Sequence, residues 1–348
     1  MFSKKICHVR NLAIGGGNPV RVQTMYDSSI VDADIDSLVS RIGRLSAMGC
    51  DLIRFSYSSE DDALPFSMIA KRSVMPVVAD IHFDYKLALS ALEHGADKIR
   101  INPGNIGARW KTKEVVLASK DKGRAIRIGL NSGSLPKNEK GLDKARLMVE
   151  TALEYINDFE SWGFENTVVS LKASDIDVTM DAARRFASIS DYPIHLGVTE
   201  AGSAIVSSVR SSWALGCLLS EHIGDTIRVS ITGKIEDEVV AANEILRTQG
   251  LKKGGVRLVS CPRCGRHTFD SRRMVELLQP SLMALDDDIT VAVMGCQVNG
   301  PGEAKDADYA LTGIGRKAFL YAKGVLVKEV TIENAEDALF EAIENGRK

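Results

Sequence analysis

From Val20 to about Gln249 the chain alternates short apolar segments of strand length with longer stretches of helical periodicity. An alternation of this kind restricts a chain to a parallel sheet covered by helices. Extended segments are read at Val20–Met25, Leu52–Ser56, Pro76–Asp80, Lys98–Asn102, Ala125–Asn131, Thr167–Lys172, Pro193–Val198 and Thr226–Ser230. Helical ones follow at Asp34–Met48, Asp61–Arg72, Tyr85–Glu93, Lys111–Lys122, Leu142–Trp162, Thr179–Ile189, Ala204–Ser220 and Ile235–Gln249. Gly49, Gly95 and Gly163 stand where glycine stops a helix. Eight such units in roughly 250 residues predict a closed (β/α)8 TIM-like barrel over residues 1–250. A doubly wound open sheet is the alternative, since periodicity does not establish closure.

Several of these strands repeat an apolar-Arg-apolar-polar pattern. It appears as Ile53-Arg54-Phe55-Ser56, Ile99-Arg100-Ile101-Asn102 and Ile227-Arg228-Val229-Ser230, with a relative in Ile126-Arg127-Ile128-Gly129-Leu130-Asn131. Side chains alternate along a strand, so isoleucines facing the helices put the arginines inside, toward the C-terminal rim. Lys172 adds a further cation. The acids expected at that rim, Asp80 and Glu200, are fewer than the cations. Buried charge is costly unless paired, and arginine suits bidentate phosphate binding. The pattern therefore predicts a phosphorylated or diphosphorylated small substrate; internal Arg–Asp pairs are the alternative. Asn102 and Asn131 end two of the strands, and Thr199 and Glu200 follow a third. Glu200 is the one carboxylate in its turn and the expected proton donor or acceptor. His82 and His195 are expected to be structural, and Gly15-Gly16-Gly17 to be a flexible turn.

The character changes after Gly250. Leu251–Gly255 reads as a linker, and residues 251–348 as a small α+β unit. Its strands are expected at Val256–Ser260, Thr290–Met294, Tyr309–Ile314 and Val325–Val330, and its helices at Ser271–Leu278 and Ala335–Asn345. Cys261-Pro262-Arg263-Cys264 follows one apolar run, and Cys296 follows another. Two strands ending in such turns can bring three thiols to one point. Three thiolates suit an iron–sulfur cluster, or a zinc site if a fourth ligand arrives. Glu303, on a glycine turn, is the nearby candidate, and an exchangeable oxygen ligand suggests an iron that can meet substrate. A reduced pair of structural cysteines is the plainer alternative. Chemistry on the bound anion would require this unit and the barrel to meet, across a domain or subunit interface.

Composition excludes several classes. A net charge of -2 gives no reason to expect nucleic-acid or anionic-membrane binding. No apolar run reaches the roughly 18 residues of a membrane span. Met1–Arg10 carries charges and no long apolar core, so no signal peptide is read. Cys7, Cys50 and Cys217 lie far apart and are not a disulfide framework, which fits a reducing cytoplasm.

Longer strings carry a resemblance. They are Pro19-Val20-Arg21-Val22-Gln23, Val78-Ala79-Asp80-Ile81-His82-Phe83-Asp84, Arg100-Ile101-Asn102-Pro103-Gly104-Asn105, Asn131-Ser132-Gly133-Ser134-Leu135, Ser170-Leu171-Lys172-Ala173-Ser174, His195-Leu196-Gly197-Val198-Thr199-Glu200-Ala201-Gly202 and the two cysteine segments. Over nearly its whole length the chain resembles the bacterial two-domain form of the 4-hydroxy-3-methylbut-2-enyl diphosphate synthase family, of the non-mevalonate isoprenoid pathway. The resemblance implies an iron–sulfur oxidoreductase. It implies reductive dehydroxylation and ring opening of 2-C-methyl-D-erythritol 2,4-cyclodiphosphate to 4-hydroxy-3-methylbut-2-enyl diphosphate. It implies a [4Fe–4S] cluster on Cys261, Cys264, Cys296 and Glu303. Substrate contacts carry over to Arg100, Asn102, Arg127, Asn131, Lys172, Arg228 and Ser230, and active-site roles to Thr199 and Glu200, with Glu200 as acid/base group. Arg21, Arg54, Asp80 and His82 are placed at the rim. The family is homodimeric, the cluster domain of one subunit capping the barrel of the other, with electrons from reduced flavodoxin or ferredoxin. The chain departs from the family at Thr24-Met25-Tyr26-Asp27, after the first strand, and at His267.

Two other readings make different demands. An anion-binding barrel with a structural zinc would be colourless and redox-inactive. An aldolase-like barrel using Lys172 as a Schiff base would be trapped by borohydride.

Overall fold

Strands β1 (Ile6–Val9) and β2 (Leu12–Gly15) form an antiparallel hairpin ahead of the barrel. The sequence reading did not anticipate it. Alternation turns Cys7, Val9 and Ile14 to one side, where they pack on Leu52, Val78, Ala125 and Val168, residues that start barrel strands. The hairpin thus plugs the N-terminal end of the barrel. This computed structural model describes residues 3–135, 137, 141–199, 202–262, 264–265, 267–285, 287–296, 302 and 305–347. Two compact units divide the chain, residues 1–252 and 253–348.

The first unit has eight parallel strands: β3 (Arg21–Met25), β4 (Leu52–Ser56), β5 (Val77–Asp80), β6 (Lys98–Ile101), β7 (Ala125–Asn131), β8 (Thr167–Lys172), β9 (His195–Leu196) and β10 (Thr226–Ile227). Neighbours in the chain are neighbours in the sheet, and β10 returns to pair with β3 through Thr226 and Arg21. A bridge between Val169 and Ile194 joins β8 to the segment entering β9 and completes the ring. Consecutive order with both ends joined is a barrel, not a doubly wound sheet. The last two strands are shorter than expected. The helices between strands include Ile35–Ala47 and Lys144–Ser161, whose N-caps Asp34 and Asp143 accept backbone N–H bonds. No helix among the described residues is long and apolar enough to cross a membrane.

A second regularity concerns every other strand. Asp51, Asp97, Asn166 and Asp225 stand immediately before β4, β6, β8 and β10. Asp51 accepts from Val22 N at 2.7 Å, Asp97 from Val77 N at 3.0 Å and Asp225 from Ile194 N at 2.8 Å, so each holds the start of the preceding strand. Three of these side chains also bind the segment ahead of the barrel, and Asp51 binds Arg21 at the start of β3. Ser3 Oγ donates to Asp225 (2.8 Å), His8 N to Asn166 (2.7 Å), Arg10 pairs with Asp97 (2.8 Å) and Arg21 with Asp51 (3.2 Å). Gly49 and Gly95 reverse the chain just ahead of two of these acids with φ of 91° and 97°, a region that favours glycine.

The second unit is a mixed five-stranded sheet in the order β11 (Arg257–Ser260), β12 (Thr290–Val293), β13 (Tyr309–Ile314), β14 (Lys317–Ala322), β15 (Val325–Thr331). The first three strands are parallel and the last two antiparallel. β14 was not expected. Helices Ser271–Met283 and Ala335–Gly346 cover one face, burying Leu278, Leu282, Leu339 and Ile343 against Val291, Val293, Leu311 and Leu320.

Candidate functional site

The C-terminal ends of the barrel strands gather the cations. Arg54 on β4, Arg100 on β6, Arg127 on β7 and Lys172 at the end of β8 are all buried. In-register pairing sets Asp80 beside Arg100, and Arg100 beside Arg127. Asp80 is the shared acid. Its carboxylate accepts from Arg100 NH1 at 3.3 Å and lies 3.8 Å from Arg54 Nε and 3.5 Å from His82 Nε2. Burial alone would raise its pKa. Arg54, the bond from His82, Arg100 and Arg127 instead hold it well below the usual carboxylate range.

Among the described residues the one acid, Asp80, does not neutralise this set. Arg127 is 1 % exposed, and among the described residues its Nε and NH1 have no hydrogen-bond partner. Lys98, one inward position below Arg100, is fully buried and its Nζ is likewise unpartnered. Burial, then the Arg127 charge, brings the Lys98 ammonium down to about 7. Burial brings the Arg54 guanidinium down to about 10, still charged at neutral pH. Burial and the charges of Arg127, Arg54, Arg228 and Arg100 push Lys172 well below the usual lysine range. Like charges buried this close together destabilise one another.

Two glycines make room for the cations. A Cβ on Gly129 would collide with Arg100 Nε, and one on Gly197 would lie 2.5 Å from Lys172 Nζ and 2.8 Å from the Arg228 carbonyl. Over strands β5 to β9 opens a cavity of about 390 Å³, lined by His82, Arg100, Asn131, Lys172, Ser174 and Thr199 among others. Asn102 caps the short helix Pro103–Ile106, its side chain accepting from Gly104 N at 3.2 Å. Arg228, just after β10, is held by Glu238 through Nε (3.1 Å) and NH2 (2.8 Å). Ser230 follows, half-buried.

In the second unit, β11 and β12 are adjacent and parallel, so Cys261 and Cys296 leave the same end of the sheet. Gly295 N donates to Cys261 Sγ at 3.0 Å, and Ser271 Oγ lies 3.9 Å from that sulfur. Cys264 is exposed, and Cys296 is half-buried. A Cβ on Gly295 would sit 3.0 Å from Cys261 Sγ. Among the described residues no group of three or more His, Cys, Asp or Glu stands close enough together to hold a metal ion. Glu303, like Glu200 in the barrel, lies outside the described residues.

Comparison with known proteins decides the family. Residues 4–243 match the GcpE TIM-barrel domain, and residues 257–345 match the GcpE protein C-terminal domain. The chain belongs to the GcpE family.

GcpE relatives are similar along their whole length. A protein of Caldicellulosiruptor saccharolyticus is 46% identical over 346 residues, covering 98% of each chain. One of Thermodesulfovibrio yellowstonii is 44% identical over 339 residues, covering 97% of each. One of Treponema denticola is 43% identical over 348 residues, covering 93% of this chain and 90% of its own. All three are named 4-hydroxy-3-methylbut-2-en-1-yl diphosphate synthase (flavodoxin). The family resemblance read from the motif strings is borne out. Among solved structures, dihydropteroate synthase of Yersinia pestis aligns with a TM-score of 0.51 at 12% identity, covering 71% of this chain and 100% of its own. The Xanthomonas albilineans enzyme with 4-aminobenzoic acid gives 0.51 at 14%, covering 72% and 100%. These likenesses concern the barrel fold alone.

Set on this GcpE barrel, the residues expected at the rim divide. Asp80, Arg100, Asn102, Asn131, Lys172, Thr199, Arg228 and Ser230 lie in the later half of their strands or just beyond, and His82 joins them; Arg54 and Arg127, nearer mid-strand, reach the same cluster, Arg127 in register with Arg100 and Arg54 3.8 Å from Asp80. Arg21 does not. It opens β3, contacts Ala13 O and Asp51, and lines a separate cavity of about 320 Å³ with Asn11, Pro19 and Lys252. The rim placement of Arg21 is therefore corrected to the N-terminal end. The physical reason is position along the strand: Arg21 stands first in β3, whereas Arg54, Arg100 and Arg127 each stand third in theirs. His195 is buried with Nδ1 2.5 Å from Thr226 Oγ1, an interior position. Glu238 and Lys98 were not singled out. Glu238 could have been found, since it lies at helical spacing from buried Ile235 and Ala242.

Proposed function

We propose that this chain is a 4-hydroxy-3-methylbut-2-en-1-yl diphosphate synthase, reducing 2-C-methyl-D-erythritol 2,4-cyclodiphosphate to the open-chain diphosphate. Two electrons and two protons enter, and one water leaves. The observation that carries this reading is the excess of buried cation over Asp80 among the described residues of the barrel rim, in a member of this family. A diphosphate would supply the missing negative charge. Arg100, Arg127 and Lys172 would bind it directly, with Arg54 held beside them by Asp80 and Arg228 held by Glu238. Asn102, Asn131, Thr199 and Ser230 would contact the substrate and orient its ring. Arg21 has no part in this role.

The thiols of Cys261, Cys264 and Cys296 fit an iron–sulfur group by donor chemistry, and the N–H of Gly295 on Cys261 suits a thiolate. With Glu303 they would hold a [4Fe–4S] cluster. Such a cluster, when bound, supplies electrons singly and a Lewis-acidic iron. Glu200 is proposed as the proton donor to the departing oxygen. Reduced flavodoxin is the proposed electron source, with ferredoxin as the substitute. A homodimer in which the second unit of one subunit serves the barrel of its partner is part of the same reading, as is a cytoplasmic location.

The test is anaerobic purification with iron, sulfide and zinc analysis, followed by turnover with reduced flavodoxin. About four irons and four sulfides per chain, with cyclodiphosphate consumed, is the expected result. A colourless protein with stoichiometric zinc and no turnover after cluster reconstitution overturns it. Glu200→Gln should retain substrate binding and lose turnover; near-normal turnover removes Glu200 from the proton-transfer role.

A further inference from the structure

Glu238 sits on the first turn of the helix Ile235–Thr248, and its carboxylate is buried. It accepts four hydrogen bonds. Thr24 Oγ1 donates to Oε2 at 2.7 Å, Arg228 Nε to Oε2 at 3.1 Å, Arg228 NH2 to Oε1 at 2.8 Å and Ile231 N to Oε1 at 3.1 Å. Thr24 belongs to the first barrel strand, Arg228 follows the last, and Ile231 lies in the loop beyond. The carboxylate therefore ties together both sides of the barrel seam.

The bonding leaves Arg228 one unclaimed edge. Nε and NH2 are both held, whereas among the described residues NH1 meets only the Met25 sulfur, at 3.7 Å. Met25 Sδ also receives Arg54 Nε at 3.1 Å. Two guanidiniums are thus brought to one thioether, a weak acceptor that neutralises neither. Arg228 lines a second rim cavity of about 440 Å³ with Met25, Ser56 and Ile231. A bidentate carboxylate holds a guanidinium plane at a defined angle. Without it, the flexible side chain would have to be ordered by the ligand itself.

We propose that Glu238 is a positioning residue that orients Arg228 for the substrate anion. The proposal rests on the reading of the rim as a diphosphate site, and Glu238 itself touches no substrate. Its charge does not cancel the anion pocket. It consumes one arginine's flexibility, while Arg54 and Arg100 pair with Asp80 instead.

The experiment is a double-mutant cycle on Glu238 and Arg228 in the cluster-loaded protein. Dissociation constants for 2-C-methyl-D-erythritol 2,4-cyclodiphosphate are measured by calorimetry. Glu238→Gln is expected to weaken binding about tenfold, and Arg228→Met by about thirtyfold. The double variant should match Arg228→Met alone within about twofold, since Glu238 acts only through Arg228. If the two losses multiply, or Glu238→Gln binds as wild type, the positioning role is overturned. Should Glu238→Gln not fold, Thr24→Val removes one of the four hydrogen bonds to the same carboxylate without altering Arg228. It should weaken binding about threefold in the wild-type background and not at all beside Arg228→Met. Equal losses in both backgrounds overturn the proposal. A wild-type protein that folds, carries its cluster and does not bind the cyclodiphosphate overturns the function and this inference together, whereas the other outcomes leave the function standing.

Discussion

At the N-terminal end of the barrel, Asp51 has Arg21, Asp97 has both Arg10 and Arg124, and Asp225 has Ser3 and a backbone N–H. At the C-terminal end, among the described residues, Arg54 and Arg100 share the carboxylate of Asp80, while two nitrogens of Arg127 have no hydrogen-bond partner. Both ends use the same two kinds of side chain. They differ in whether the books balance within the chain. Balanced charge with satisfied hydrogen bonds holds a structure in place. An unmatched surplus of one sign leaves free energy to be recovered when a ligand of the other sign binds. A barrel of this kind is assembled at one end and does its work at the other.

The largest expected effect tests the balanced end. Asp97→Ala removes a buried carboxylate that joins two arginines and the Val77 N–H, and should lower stability by about 4 kcal/mol in denaturant unfolding. The surviving folded fraction should bind substrate normally. A loss of affinity instead would mean that the two ends are not separable. At the surplus end the signs reverse. Arg100→Met should weaken substrate binding on the order of a hundredfold while leaving the protein folded. Unchanged affinity in a folded variant would sink the anion pocket.

Lys98, which opens β6 beside Val78 and Ala125, is the exception at the plugged end and is read through pH. Its folded pKa, about 7, lies below the value of 10.5 of a free lysine, so the unfolded chain binds more protons between those limits. The cost of burying the ammonium is fully present below pH 7 and is relieved as pH rises. In ligand-free protein, wild type should therefore gain about 2 kcal/mol on Lys98→Met between pH 7 and pH 9. Parallel stability curves would show that Lys98 is already neutral or already paired. The smallest effect is expected at Arg21, whose replacement by Met should cost less than about 1 kcal/mol and leave affinity within about twofold. A large loss of affinity would return Arg21 to the substrate site.

Much of this was legible before the fold was seen, and the limits have physical causes. The strands from β4 to β8 were placed to within a residue because their apolar runs are bounded by glycine, proline or charge. Inward arginines were read from alternation alone. Whether an inward residue faces the top or the bottom depends on its place along the strand, and Arg21, first in β3, went to the wrong end for that reason. The hairpin Ile6–Gly15 was hidden because its two four-residue strands acquire an apolar partner only once the barrel has closed above them. β14 was missed between two glycine turns, although Ala318 and Leu320 alternate into the core. Glu238 was overlooked as one of three successive acids that begin a helix, where acids are common for a different reason.

The hydrogen bond from Ser3 to Asp225 spans 222 residues. A ribosome makes the plug first and its last anchor almost at the end of the barrel. For most of translation Cys7, Val9 and Ile14 therefore emerge with no complete floor to settle on. The plug's floor and anchors, from Leu52 to Asp225, are made one after another, so its seating is completed only with the last strands. A nascent chain stalled before Asp225 should thus bare this apolar hairpin, which makes it a natural place for a chaperone to wait.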